Sequence, residues 1–330
     1  MLEGRGAMSR VMTWIGLSAM LVLLAAAELP AQEGVRPKVA FQAAQGSHTQ
    51  SQQEIDIMGH LANSDEIELP YWKPPYYYAV HLPHIQPIHV GSVQIDLSPT
   101  KHSVFTVIAA LLVALIFIIS ARSVARAQAS GRPPAGLGGA MEATALWIRQ
   151  EVILPNVGPH GEGYAPYLLT TFFFILACNL LGLLPWGATA TANIAVTGGL
   201  AVLAFIIIEV SGMRALGFKG YMGTIFYLPP GLPTLLKPIM LIVMTPIELI
   251  GKLAKPFALA VRLFANMTAG HALVLALIGL TFTFQSYIVG GVASVMATLV
   301  MMLELFVAFL QAFVFTLLTA VFIGLMRAEH

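Results

Sequence analysis

From Leu263 to Met326 the chain runs 64 residues with a single formal charge, Glu304. Such a stretch buries itself in lipid, and inside lipid every backbone N–H and C=O must be satisfied within the segment or its close neighbours. Helices meet that demand, so the run predicts membrane helices. Directly before it stands Arg262, within "KPFALAVRLFANMTAGH" (Lys255 to His271). An arginine in a hydrophobic helix costs at least ~2.5–3.5 kcal/mol on insertion scales, and intramembrane ionisable groups mark ion paths by default.

Composition agrees. Of the 330 residues 57% are hydrophobic and 10% charged, with mean hydropathy +0.79; soluble domains carry about 25% charged residues. The net charge of +1 gives no electrostatic footprint for nucleic acid. The single cysteine, Cys178, lies in an apolar run, which excludes a disulfide framework or a cysteine metal site. Residues 1–32 read as a signal peptide: Arg5 and Arg10 precede an apolar stretch from Met12 to Ala27, and small residues follow. An uncleaved anchor helix is the alternative.

Residues 33–100 are polar, rich in Pro, Gln and His, and read as an extracytoplasmic extension with a short strand or two around Tyr77 to Ile95. His81, His84 and His89 fall here, but Pro83 and Pro87 interrupt them and their spacing is not that of a metal motif, so no metal or cofactor is assigned. The remainder, 101–330, is a membrane domain. A first span covers about His102 to Ala121, enough to cross a bilayer. Arg122, Arg126 and Arg132 after it mark the cytoplasmic side. Residues 138–155 mix apolar and charged positions and fit a surface-lying amphipathic helix. Two spans follow, 165–185 outward and 190–212 back, with Arg214 and Lys219 inside. From Tyr221 to Arg262 six prolines punctuate a run that holds Lys237, Glu248, Lys252 and Lys255, which fits a long, kinked, tilted helix packed against protein or water. The polar "TFQSY" (283–287) ends it, and a last helix runs from about Tyr287 to Met326. At ~1.5 Å per residue that helix is about 60 Å long and cannot stand upright in a ~30 Å core. The expected fold is thus an all-α membrane protein with about five membrane helices, one surface helix, and a final pair forming a long, tilted antiparallel hairpin. An outer N-terminal extension and five crossings leave the C-terminus cytoplasmic.

A straight hairpin turning near residue 287 sets Arg262 opposite Gln311, His271 opposite Glu304, and Glu248 opposite Arg327. Three polar pairings then share one register. Asn266, four residues after Arg262, and Glu248, fourteen before it, lie within about 40° of its face, whereas His271 points nearly opposite. Arg262 and His271 would then serve different compartments, as two aqueous paths separated by a fixed positive charge require. Each feature also has a plainer explanation: an Arg locking a bundle, a structural His–Glu contact, an interhelical hydrogen bond at Asn179, small residues permitting close packing.

The segments "KPFALAVRLFANMTAGH", "LQAFVFTLLTAVF", "NLLGLLP" and "TATANIAVT" resemble subunit a of the F-type ATP synthase membrane sector, over about residues 101–330. The resemblance is specific around Arg262 and Gln311 and weak over 33–100. It implies that Arg262 is the stator charge facing a rotating ring of c subunits, with Asn266, His271, Glu304 and Gln311 as lining or supporting groups. Some members carry a glutamate where this chain has His271 and a histidine where it has Glu304, so one titratable pair is kept. It further implies the c-ring, the b subunits of a peripheral stalk, the soluble ATPase sector and the lipid bilayer as partners, and a bacterial inner membrane as location. Asn179, His271 and Glu304 are expected on the outer half-channel, and Glu248 at the cytoplasmic mouth. No P-loop GxxxxGK[ST] occurs, so nucleotide chemistry belongs to partner subunits and the chain has no catalytic residues of its own. Two other classes compete: a secondary transporter or channel acting alone, against which the lack of a visible internal repeat counts, and a structural membrane anchor.

Overall fold

A computed structural model describes residues 66–70, 77–83, 88–90, 93–95, 98–159, 161–184, 187, 189–226, 233 and 237–328. The signal-peptide reading of residues 1–32 lies outside them, as does most of the extension, including His84. What is described of the extension forms two antiparallel β-hairpins. Strand β1 (Glu66–Pro70) pairs with β2 (Tyr77–His81), and β3 (Ile88–Val90) pairs with β4 (Val93–Ile95). The domain that follows is helical and, among the described residues, has five helices long and apolar enough to cross a membrane.

Helix α1 (Lys101–Ala129) starts at Thr100, whose side chain accepts the Ser103 amide proton. It runs well past the expected end at Ala121, so Arg122 and Arg126 belong to its last turns rather than to a loop. Hydropathy marks where hydrocarbon ends; the helix ends only at Gly131, with φ +65°, and Pro133 beyond it. Cationic side chains near a helix C-terminus also favour the extension.

The expected surface helix is a composite: α2 (Gly136–Trp147), a π-helical turn (Ile148–Ile153) and α3 (Leu154–Val157). Ile148, Val152, Ile153 and Val157 are buried, while Leu137, Leu146 and Trp147 stay exposed. Helix α4 (Ala165–Gly182) is the most enclosed span, with Tyr167, Leu168, Phe172 and Ile175 in the core. A short 3-10 turn (Ala190–Ala192) leads to α5 (Ile194–Ile225), capped by the Asn193 side chain on the Ala195 amide at 2.8 Å. The helix outlasts the expected 190–212 span, bending at Gly217, where φ is +70°.

Helices α6 (Lys237–Phe284) and α7 (Tyr287–Ala328) form the expected hairpin. They have 48 and 42 residues, about 72 and 63 Å at the helical rise. Both exceed the ~30 Å hydrocarbon core twofold, so they tilt or bend. Pro246 and Pro256 sit inside α6, each removing a backbone donor and crowding the carbonyl four residues earlier. Gln285 and Ser286 form the turn, with Gln285 at φ +46°.

The C-terminal end of α7 is pinned to the α3 segment. Arg327 donates to Val157 O at 3.3 Å and Pro159 O at 2.8 Å, and its guanidinium lies 5.6 Å from the Tyr164 ring. Just before it, a Cβ at Gly324 would strike the Asn156 carbonyl oxygen, a backbone atom that cannot swing away. Gly324→Val is therefore expected to destabilise the chain by about 1–3 kcal/mol of overpacking. A lowered thermal midpoint of the detergent-purified protein checks this.

Candidate functional site

The hairpin sets the site. Its lower part follows the expected register closely: a Cβ at Gly270 would run into the Glu304 carboxylate, so Glu304 lies against α6 one residue from His271. Elsewhere the register drifts. Near the turn Gly290 packs on Thr281, where a Cβ would sit 2.9 Å from Thr281 Cγ2. Further along, Lys255 Nζ lies 5.1 Å from the Phe322 ring centroid. A turn at 285–286 and two internal prolines are enough to displace facing residues by several positions between the two ends.

The drift matters at the other two expected pairings. Gln311 is buried at 3% exposure, whereas Arg262 is exposed. Among the described residues no hydrogen bond joins them. Nor does the structure bring Glu248 to Arg327, whose guanidinium is held by the Val157 and Pro159 carbonyls. Glu248 is half-buried and has no hydrogen bond or ion pair among the described residues.

Arg262 projects from an exposed face of α6 that also presents Ala254, Ala258, Ala265, Asn266 and Ala269. Beside it Ala254, Lys255, Ala258 and Leu259, with Leu318 and Phe322 from α7, line an open recess of about 370 Å³. Among the described residues no carboxylate pairs with the guanidinium. On an apolar helix this is a charge waiting for a partner from outside the chain, because an unpaired cation in hydrocarbon is costly.

Elsewhere in the bundle a buried polar cluster joins three elements. Asn179, fully buried in α4, donates through Nδ2 to Ala308 O at 3.1 Å and accepts from Thr191 Oγ1 at 2.7 Å. The structure thus gives Asn179 its interhelical hydrogen bond, one helical turn along α7 from Glu304. His102, buried at the start of α1, meets Thr189 O through Nδ1 at 3.1 Å, so the same turn anchors α1. Thr189, Thr191 and His102 carry no local sequence signal; only the fold of the 189–192 turn over α4 gathers them.

A second cluster also escapes the sequence. Glu209 of α5 and Lys252 of α6 are buried at 8% and 6% exposure, with Nζ 3.7 Å from Glu209 Oε2. Lys252 also donates to Thr224 Oγ1 at 3.0 Å and lies 4.6 Å from the Tyr221 ring centroid. The Tyr221 hydroxyl donates to the same Glu209 oxygen. The signal was partial: Glu209 is a lone carboxylate ending a long apolar run, while Lys252 is one of several cations in the proline-punctuated segment, and a charge once buried needs a partner.

A bundle of five membrane-length helices whose final hairpin carries a spaced track of ionisable groups is a multi-pass membrane protein built around an ion path. A family model described as ATP synthase A chain matches residues 103–324. The chain is 44% identical over 293 residues to ATP synthase subunit a of Pelodictyon phaeoclathratiforme, covering 88% of this chain and 81% of that one. It is 46% identical over 251 residues to ATP synthase subunit a 2 of Chlorobaculum tepidum, covering 76% and 68%. With ATP synthase subunit a of Anaeromyxobacter sp. it shares 37% identity over 325 residues, covering 92% and 76%. The chain belongs to the ATP synthase A chain (subunit a) family.

Proposed function

We propose that the chain is the stator subunit of the membrane sector of an F-type ATP synthase, providing two half-channels for protons against a rotating ring of c subunits. The observation that carries the reading is Arg262: a permanent cation on an exposed, small-residue face of a membrane helix, with no carboxylate of its own chain among the described residues. Alanines on that face let another helix approach closely. A carboxylate on a passing c subunit supplies the missing anion.

The outer half-channel is lined by His271, Glu304 and Asn179, with Glu304 packed at Gly270 and Asn179 one turn further along α7. Protons entering there neutralise a c-subunit carboxylate, which then tolerates lipid; the ionised form would not. After a turn of the ring the carboxyl group reaches the inner half-channel, where Glu248 accepts the proton at the cytoplasmic mouth. Glu248 precedes Arg262 by fourteen residues on α6, about 21 Å along the helix. Arg262 attracts each arriving carboxylate and bars direct transfer between the two paths. Asn266 shares its face, and Gln311, buried in α7, supports the hairpin beneath. A proton moving across ~100 mV yields about 2.3 kcal/mol, so several drive each nucleotide. The nucleotide chemistry resides on the soluble ATPase sector, and b subunits of a peripheral stalk hold the chain still. Arg122, Arg126, Arg132, Arg214 and Lys219 place the cytoplasmic side. The extension then lies outside a bacterial inner membrane and the C-terminus within.

Accessibility tests the outer path. With cysteines at positions 271 and 304 in an assembled, active complex, small polar thiol reagents added from outside are expected to label both. If both stay inert, the path runs elsewhere.

A further inference from the structure

Glu248 has two lysines within reach on its own helix, and neither is on it. Lys252 follows by four residues, the spacing and orientation in which Glu and Lys pair on a helix face. Lys255 follows by seven. In the structure the Lys252 ammonium is drawn instead toward α5, to Thr224 Oγ1 at 3.0 Å and Glu209 Oε2 at 3.7 Å, over the Tyr221 ring. The Tyr221 hydroxyl fixes that same Glu209 oxygen. The Lys255 ammonium lies over the Phe322 ring of α7. Glu248 is left half-buried and without an ion pair among the described residues.

We propose that Glu209 is a positioning residue that holds Lys252 away from Glu248, so that Glu248 stays free to bind and release protons. This rests on the reading of Glu248 as the acceptor of the inner half-channel. An opposite charge within about 4–6 Å of a carboxylate favours its ionised form. A Glu248 tied to Lys252 would therefore resist protonation and pass protons slowly. Because Glu209 sits on a neighbouring helix and is itself hydrogen-bonded by Tyr221, it offers Lys252 a better-ordered anion than Glu248 does. The Lys252 cation is neutralised without spending the path carboxylate.

The test uses vesicles carrying the complete synthase, with ATP-driven proton pumping divided by the amount of assembled complex. Glu209→Gln is expected to slow pumping by roughly threefold to tenfold, because the released Lys252 then turns to Glu248. Adding Glu248→Gln to it is expected to slow pumping no further than Glu248→Gln alone, since both act through one carboxylate. Glu209→Gln/Lys252→Met, which has no cation to misdirect, is expected to recover to within about twofold of the unsubstituted rate. Multiplying losses in the first pair, or no recovery in the second, would mean that Glu209 only packs α5 on α6, and the proposal falls. It falls equally if Glu209→Gln pumps at the full rate while Glu248→Gln is slow. Full-rate pumping by Glu248→Gln removes the inner-path reading itself and the proposal with it. Should Glu209→Gln leave no assembled complex, the neutral double variant still decides: pumping below about a third of the unsubstituted rate overturns the proposal.

Discussion

Arg262→Ala is expected to abolish both ATP synthesis and ATP-driven proton pumping while the chain still inserts and assembles. Assembly survives because the guanidinium projects from an exposed face and pairs with no carboxylate among the described residues. Removing it relieves an insertion cost of at least ~2.5–3.5 kcal/mol rather than leaving a buried charge behind. Function does not survive, because the other cation on that face, Lys255, stands seven residues away with its ammonium over the Phe322 ring and cannot take the guanidinium's place. Arg262→Lys is expected to fail as well, since an ammonium cannot present the planar two-pronged donor to a carboxylate. Quench-based pumping assays, normalised to immunoblotted complex, check both.

The second large effect is expected at Gly270, a residue with no chemistry of its own. A Cβ there would meet Glu304 Oε1 and come within 3.0 Å of its Cδ and 3.1 Å of its Cγ. Those atoms belong to a side chain that can swing away, so Gly270→Val is expected to fold with the Glu304 carboxylate displaced. A misplacement of about 1 Å in a proton-transfer arrangement costs up to ~10²-fold, so pumping is expected to fall by about tenfold or more. Gly270→Ala, with only the Cβ to accommodate, is expected to lose less. The order Val worse than Ala, at equal assembly, is the readout. Equal rates for the two would mean that the closeness of Gly270 and Glu304 has no bearing on flux.

The groups that matter most stood out in the sequence because they are solitary. Arg262, His271, Glu304 and Gln311 interrupt helices that are otherwise apolar, and each interruption costs free energy that packing alone does not return. The hairpin followed from length: two runs of about forty residues joined at a polar break have few other ways to lie in a bilayer. The relation between the two arms was less legible. Counting along straight helices put Glu304 next to His271, within one residue of its place against Gly270, because that level lies in the unbroken half of α6. Nearer the start of α6 Pro256 and Pro246 intervene, and there the count assigns Arg327 to Glu248 while the structure holds Arg327 on the Val157 and Pro159 carbonyls. No helical arithmetic could have included a loop carbonyl as competitor.

Helix ends are poorly marked in the sequence for a related reason. Apolarity reports the thickness of hydrocarbon, yet α1 and α5 continue beyond it until Gly131 and Phe226, carried by residues with no reason to stop. The pairing of Glu209 with Lys252 is not legible from either helix alone. A buried charge needs a partner, and the partner is a property of the fold.

The central claim is that one fixed charge keeps two proton paths apart. It is met most directly by passive proton leak in vesicles that carry the complete synthase with its soluble sector locked by a nucleotide-site inhibitor, so that the ring cannot turn. An imposed pH gradient is expected to decay at the background rate with the unsubstituted chain. With Arg262→Ala it is expected to decay faster, as protons pass between the half-channels without rotation. A gradient that holds equally well in the alanine variant, at an equal amount of assembled complex, would contradict the account.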